Sequence, residues 1–91
     1  MNISRYEQRA LHVLALGGRI HHKRDMGEGG GRKVNEVICV TREGQVLSDC
    51  TLQVFQSLRR KRLIRSEGGK PYIITYRGRR AVRAQFDNKG A

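Results

Sequence analysis

Three features of the 91-residue chain predict an α+β fold. A capping box opens an apolar helical stripe near the N-terminus. β-rich runs punctuated by glycine follow it. A second helix pattern then leads through Leu63-Ile64 into a two-stranded turn and a threonine-capped third helix. That closing order, helix then hairpin then helix, is winged-helix-like. The expected architecture is three helices, with a β-hairpin insertion after the first helix and a two-stranded wing. A chain of this length has room for one core, so residues 1–91 are expected to form one small domain.

The first helix has legible ends. Ser4 and Glu7 make a capping box, in which each side chain satisfies a backbone donor that the helix start leaves unpaired. Ala10, Leu11, Leu14 and Ala15 recur at helical spacing, and Gly17-Gly18 supplies a left-handed stop after Leu16. Arg19–Lys23 reads as a strand. Residues 24–33 carry four glycines, and the entropy of ordering them predicts a flexible loop. A phosphate-cradling loop is excluded, because such a loop opens a helix and a β-rich run follows here.

Val34–Thr41 is expected to pair with Arg19–Lys23. Arg42-Glu43-Gly44 turns, and Gln45–Leu47 leads the chain back toward the second helix. Ser48, Asp49 and Thr51 are all competent caps, so that helix is expected to start near residues 49–51 and end near Arg62. At 100° per residue, Leu52, Val54, Phe55 and Leu58 share one side. Gln53, Gln56, Ser57, Arg60 and Lys61 share the other. Leu63–Ser66 and Tyr72–Thr75 are the expected wing strands, joined by Glu67-Gly68-Gly69-Lys70-Pro71. Thr75 then caps a helix to about Phe86, and residues 87–91 are expected to fray. A helix-turn-helix has another helix before the recognition helix; here that stretch reads as strands.

The net charge is +11, and it is unevenly placed. Between Arg59 and Arg83 stand ten basic residues against the single acid Glu67, leaving +9 in that window. A solvated face interleaves both signs, whereas Arg79 and Arg83 repeat one sign at helical spacing, at about 0.2–0.5 kcal/mol per pair. Such clustering points to an anionic partner, either a polyanion or an acidic protein surface. The residues expected to touch it are Gln53, Gln56, Arg60 and Lys61 on the helix, Lys70 on the wing, and Arg77 and Arg80 beyond it. Single-strand binding by stacking is disfavoured, because Phe55, Phe86 and Tyr72 occupy core-like positions and only Tyr6 and Tyr76 point outward.

Other chemistries find little in the chain. Cys39 and Cys50 lie outside any CxxC spacing and are expected to be reduced, half-buried thiols. His21 and His22 would point to opposite faces of a strand, and His12 has no ligand partner at helical spacing, so no metal or other cofactor is expected. No carboxylate pair or nucleophile constellation stands out; Cys50 beside Asp49 reads as an inward-packed helix-start residue. The protein is therefore not expected to be an enzyme. No apolar run reaches the roughly 18–20 residues needed to span a bilayer. The N-terminus lacks a secretory pattern, which makes the cytoplasm the expected location.

Several segments resemble the YjhX-type toxin family of small bacterial proteins. They are Leu11-His12-Val13-Leu14-Ala15 with Gly17-Gly18-Arg19-Ile20, Arg42-Glu43-Gly44, and Asp49-Cys50-Thr51-Leu52 with Val54-Phe55. Leu58, Lys61, Leu63-Ile64, Pro71-Tyr72 and Val82-Arg83-Ala84-Gln85 with Asp87-Asn88 continue the likeness across nearly the whole chain. The resemblance implies a toxin of a toxin–antitoxin pair that inhibits bacterial DNA topoisomerase I, and an antitoxin that is acetyltransferase-like. It implies no catalytic residues. The residues themselves also fit a second expectation, a winged-helix transcriptional regulator that binds duplex DNA.

Overall fold

The computed structural model describes residues 2–24 and 34–89, with side chains as far as residue 82 except that of Arg24. Eight elements occur in the order α1 (Arg5–Ala15), β1 (Arg19–Arg24), β2 (Val34–Val40), β3 (Val46–Leu47), α2 (Leu52–Arg60), β4 (Ile64–Arg65), β5 (Ile73–Ile74) and α3 (Tyr76–Lys89). The result is an α+β fold of three helices with two small antiparallel sheets, ordered β1-β2-β3 and β4-β5. Arg24 belongs to β1, and the rest of the expected flexible loop over 24–33 lies outside the described residues.

α1 forms where the capping box predicts it. The Glu7 amide donates to Ser4 Oγ at 3.1 Å, and the Ser4 amide donates to Glu7 Oε1 at 2.8 Å. Gly17 closes the helix at φ 104°. Gly18 has a different constraint: a Cβ there would lie 2.6 Å from the Val40 carbonyl oxygen, so α1 and β2 approach too closely for any side chain.

β1 and β2 pair from Arg19↔Val40 to Arg24↔Val34. β3 is a strand that the sequence reading assigned to the approach to α2. Gly44 at φ 93° completes a three-residue hairpin loop, with the Gly44 amide donating to the Thr41 carbonyl at 2.9 Å and Thr41 to Gln45 at 2.7 Å. Two residues, Val46 and Leu47, then pair with Val40 and Cys39.

The two sheets are joined by one bridge. Ile20 and Tyr72 exchange both backbone hydrogen bonds, at 3.0 and 2.8 Å, so the return side of the β4–β5 hairpin is tied to the strand that follows α1. The strands of the β4–β5 hairpin are shorter than expected, two residues each: the Leu63 amide turns back to the Leu58 carbonyl, and Tyr72 pairs with Ile20. α3 continues to Lys89, beyond the predicted end near Phe86 and into the segment expected to fray; residues 90–91 lie outside the described residues.

The core takes Ala10, Leu11 and Leu14 from α1, Ile20 and Cys39 from the larger sheet, Phe55 and Leu58 from α2, and Val82 from α3. Tyr72 packs edge-on against Phe55 with ring centroids 4.9 Å apart, and against His22 at 5.0 Å. These contacts fix the hairpin on the helices. Tyr6 and Tyr76 are exposed, as the sequence predicts.

Gly78 shows how closely α3 is seated. A Cβ at this position would lie 2.4 Å from the Leu63 carbonyl oxygen. Alanine in a helix interior ordinarily gains about 1 kcal/mol over glycine. Gly78→Ala is expected to reverse that sign and cost about 1–3 kcal/mol, read as a lower urea midpoint at unchanged slope. An unchanged or raised midpoint would show that α3 is not pressed against Leu63.

Candidate functional site

α2 is built so that one stripe faces out. Thr51 caps it, accepting from the Val54 amide at 3.3 Å. Phe55 and Leu58 are buried, whereas Gln53, Gln56 and Arg60 are exposed at spacings of three and four along the opposite side. Arg59 and Arg60 occupy the last turn, where cations complement the helix dipole.

The end of α2 is unusual. Lys61 is the C-cap, and Arg62 follows at φ 62°, the single non-glycine residue with positive φ among those described. The Leu63 amide donates to the Leu58 carbonyl and the Arg62 amide to the Arg59 carbonyl, both at 3.0 Å. These are the two bonds of a Schellman stop, with arginine where glycine is usual. Its hydrophobic partners, Leu58 and Leu63, are fully buried. A left-handed backbone costs a non-glycine residue about 1–2 kcal/mol.

The turn also receives α3. Thr75 Oγ1 donates to the Arg62 carbonyl at 2.9 Å and accepts from the Gly78 amide at 3.0 Å, capping α3 as predicted. The Thr75 amide donates to the Leu63 carbonyl at 3.0 Å. The end of α2 and the first turn of α3 therefore meet at residues 62–63. Exposed Arg59, Arg60 and Arg62 come from one side of this junction, and exposed Arg77, Arg79 and Arg80 from the other. None of the six makes an ion pair among the described residues.

Lys61 departs from the expected exposed face. Its Nζ donates to both Glu7 carboxylate oxygens, at 3.0 and 2.9 Å, and to the Asn2 carbonyl at 2.9 Å. Ser57, also expected to be outward, is half-buried and donates to Glu7 Oε2 at 2.8 Å. The physical reason is helical phase: residues 57 and 61 lie on the flank of α2 that meets α1, where buried Glu7 needs donors. Burial raises the Glu7 pKa, but hydrogen bonds from the Ser4 amide, Lys61 and Ser57 outweigh it and hold the carboxyl below its ordinary value.

Lys70 lies in the turn between β4 and β5, exposed as expected. The wing turns at Gly68 and Gly69, both left-handed at φ 60° and 79°, with the Lys70 amide donating to the Glu67 carbonyl at 3.1 Å. Arg65 pairs with Glu67 at 3.1 Å. A cleft of about 270 Å³ beside the wing is lined by Arg19, Glu67, Lys70, Pro71 and Ile73. Arg19, Arg59, Arg62 and Arg79 are not among the contact residues that the sequence predicts. Arg19 comes beside the wing only through the Ile20–Tyr72 bridge, and a left-handed arginine carries no sequence signal.

The described residues hold no group of three or more His, Cys, Asp or Glu side chains suited to a metal ion. Cys39 and Cys50 are free and more deeply buried than expected. The Cys39 thiol donates to Cys50, and that bond together with burial pushes it well above the ordinary thiol range. Asp49, beside Cys50, is ion-paired with Arg9. No helix among the described residues is long and apolar enough to cross a membrane.

Comparison with known proteins places the chain. A family model described as "putative toxin of bacterial toxin-antitoxin pair", the YjhX toxin family, matches residues 1–89. The chain belongs to the YjhX toxin family. Membership in the toxin half of such a pair implies an antitoxin partner. A UPF0386 protein of Cereibacter sphaeroides is 65% identical over 91 residues, covering 100% of both chains. A UPF0386 protein of Brucella anthropi is 58% identical over 89 residues, covering 98% of this chain and 100% of its own length. One from Caulobacter vibrioides is 54% identical over 89 residues, covering 98% and 93%. No solved structure matches the chain.

The Glu7–Lys61 pair makes a stability prediction. Because the folded pKa of Glu7 is lowered, its contribution is present above the unfolded carboxylate range and is lost as pH falls through the folded value. Lys61→Met leaves Glu7 buried with fewer donors and is expected to cost about 2 kcal/mol at pH 7. The deficit relative to wild type should shrink below about pH 4.5, where the carboxyl is protonated in the unfolded chain. Urea unfolding at pH 7 and pH 3.5 checks this. A deficit equal at both values would mean that the ion pair contributes nothing beyond packing.

Proposed function

We propose that the protein acts by binding, without catalysis of its own, as the toxin half of a toxin–antitoxin pair. In this reading it inhibits bacterial DNA topoisomerase I in the cytoplasm and is held in check by an acetyltransferase-like antitoxin. Topoisomerase and antitoxin come from the family resemblance. The surface comes from the geometry: the observation that carries it is the set of six exposed arginines, without an ion pair among the described residues, where α2 ends and α3 begins. Arginine presents a planar fork of donors that suits phosphate and carboxylate better than lysine does.

In this reading the arrangement is winged-helix-like, which suits this use of α2. The helix precedes a two-stranded hairpin, and the Ile20–Tyr72 bridge ties that hairpin back to the strand after α1. With the β1–β2–β3 insertion in place of a second helix, α2 has an unencumbered outward stripe of Gln53, Gln56 and Arg60. That stripe also favours a second reading, a duplex-DNA-binding regulator, because Gln and Arg are the side chains that pair bidentately with adenine and guanine edges. A regulator of this kind would bind as a dimer with its two helices about 34 Å apart.

Titration of the chain into a supercoiled-plasmid relaxation reaction run by purified topoisomerase I separates the readings. Inhibition that is at least tenfold weaker for the double variant Arg60→Glu, Arg77→Glu is the expected result, given the steep dependence of such contacts on charge. Undiminished relaxation at saturating protein, with sequence-specific duplex binding as a dimer, would establish the regulator instead.

A further inference from the structure

The helices bury their apolar residues against one side of the sheets, where Ile20, Cys39 and Tyr72 enter the core. The other side is bare. Cross-strand partners share a face, so the row Arg19↔Val40↔Val46 and the pair His21↔Ile38 lie outward, one residue out of phase with the buried Ile20↔Cys39 row. The Ile20–Tyr72 bridge carries this outer face on to β5, where Ile73 follows buried Tyr72 and stands opposite Arg65. Ile38, Val46 and Ile73 are 42%, 66% and 38% exposed on it.

The charge on this face is partly spent. Lys23 pairs with Glu36 and Arg65 with Glu67, whereas Arg19 and Lys70, which line the cleft beside Ile73, make no ion pair among the described residues. An apolar row with two unspent cations beside it remains.

We propose that the outer face of the sheets is the docking site for the antitoxin, through an acidic amphipathic helix that lays an apolar stripe over Ile38, Val46 and Ile73 and sets carboxylates on Arg19 and Lys70. The contact goes beyond inhibition of the enzyme and rests only on membership in the toxin half of a pair. A bare sheet face is ordinarily covered by helices, as in layered α/β architectures. The outermost strands, β3 and β4, are two residues each and give a partner strand little to pair with. Nucleic acid gains nothing from the apolar row, because phosphates reward cations and donors. A second copy of this chain, packed face to face, would set Arg19 and Lys70 against their own counterparts, with a net charge of +11 on each chain. An apolar surface edged with carboxylates is complementary in both respects.

The test uses the full chain and a labelled synthetic helix of about 18 residues, roughly 27 Å long, with leucine on one face and glutamate on the other. A second peptide keeps the glutamates and replaces leucine by alanine. Affinity at physiological salt, amide shift mapping and plasmid relaxation by topoisomerase I are read together. The leucine–glutamate helix is expected to shift Ile38, Val46 and Ile73 and to bind about fivefold or more tighter than the alanine peptide. Ile38→Thr with Val46→Thr should lower that affinity about five- to tenfold at an unchanged urea midpoint, since threonine suits an exposed strand position. Arg19→Glu should lower it about fivefold. Neither variant should alter inhibition of relaxation. No binding by wild type, equal binding of the two peptides, or shifts confined to the α2–α3 junction overturns the docking face and leaves the inhibitor reading standing. Threonine variants that lose inhibition together with peptide binding give the face to the enzyme and overturn the antitoxin assignment. Peptide binding on the face of a chain that never inhibits relaxation supports the docking site and removes the inhibitor reading.

Discussion

The turn at residues 61–63 stops α2 after Arg60 and offers two backbone carbonyls, of Arg62 and Leu63, to the start of α3. Thr75 takes both: its hydroxyl donates to one and its amide to the other. Gly78 follows without a Cβ, because the Leu63 carbonyl occupies the space that one would need. Leu63 then enters the core beside Leu58, and the β4–β5 hairpin begins. Helix end, hairpin and last helix are thus set relative to one another by a handful of backbone groups. The other end of the constraint is Glu7, whose carboxylate draws Ser57 and Lys61 onto α1 and fixes the rotation of α2 about its axis. With that flank committed, the Gln53–Gln56–Arg60 stripe has one direction left, toward solvent.

The electrostatics follow from this geometry. Of the basic residues in the 59–83 window, Lys61 spends its charge inside the fold and Arg65 pairs with Glu67. The exposed arginines on both sides of the junction make no ion pair among the described residues. Bringing like charges together opposes folding by a small amount per pair, which salt screens. The same concentration of unsatisfied donors is what an anionic partner would reward, so folding prepares the surface at a modest cost in stability.

Much of the scaffold was legible because its signals are local. The Ser4–Glu7 capping box, the Gly17 stop, the Thr51 and Thr75 caps and the β1–β2 pairing all depend on residues a few positions apart or on a simple alternation. The failures are also physical. A two-residue strand such as β3 has no periodicity to detect, and it exists because Gly44 closes a hairpin onto β2. Lys61 looked like part of a charged face because helical phase alone does not say which neighbour lies on which flank; Glu7, 54 residues earlier, decides it. Arg62 gave no sign of its left-handed backbone, since that conformation is imposed by the Leu63 return to the core. The site was therefore legible as a region of charge, while the placement of individual side chains was set by contacts far apart in the sequence.

Backbone amide mapping during titration with purified topoisomerase I tests the central claim most directly, because it reports which part of the surface meets the partner. Perturbations gathered at Gln53–Arg62, the β4–β5 turn around Lys70 and the Arg77–Arg80 turn, with β2, β3 and α1 unmoved, are the predicted result. Perturbations centred on the β1–β2–β3 sheet or on α1, with the junction silent, would contradict it.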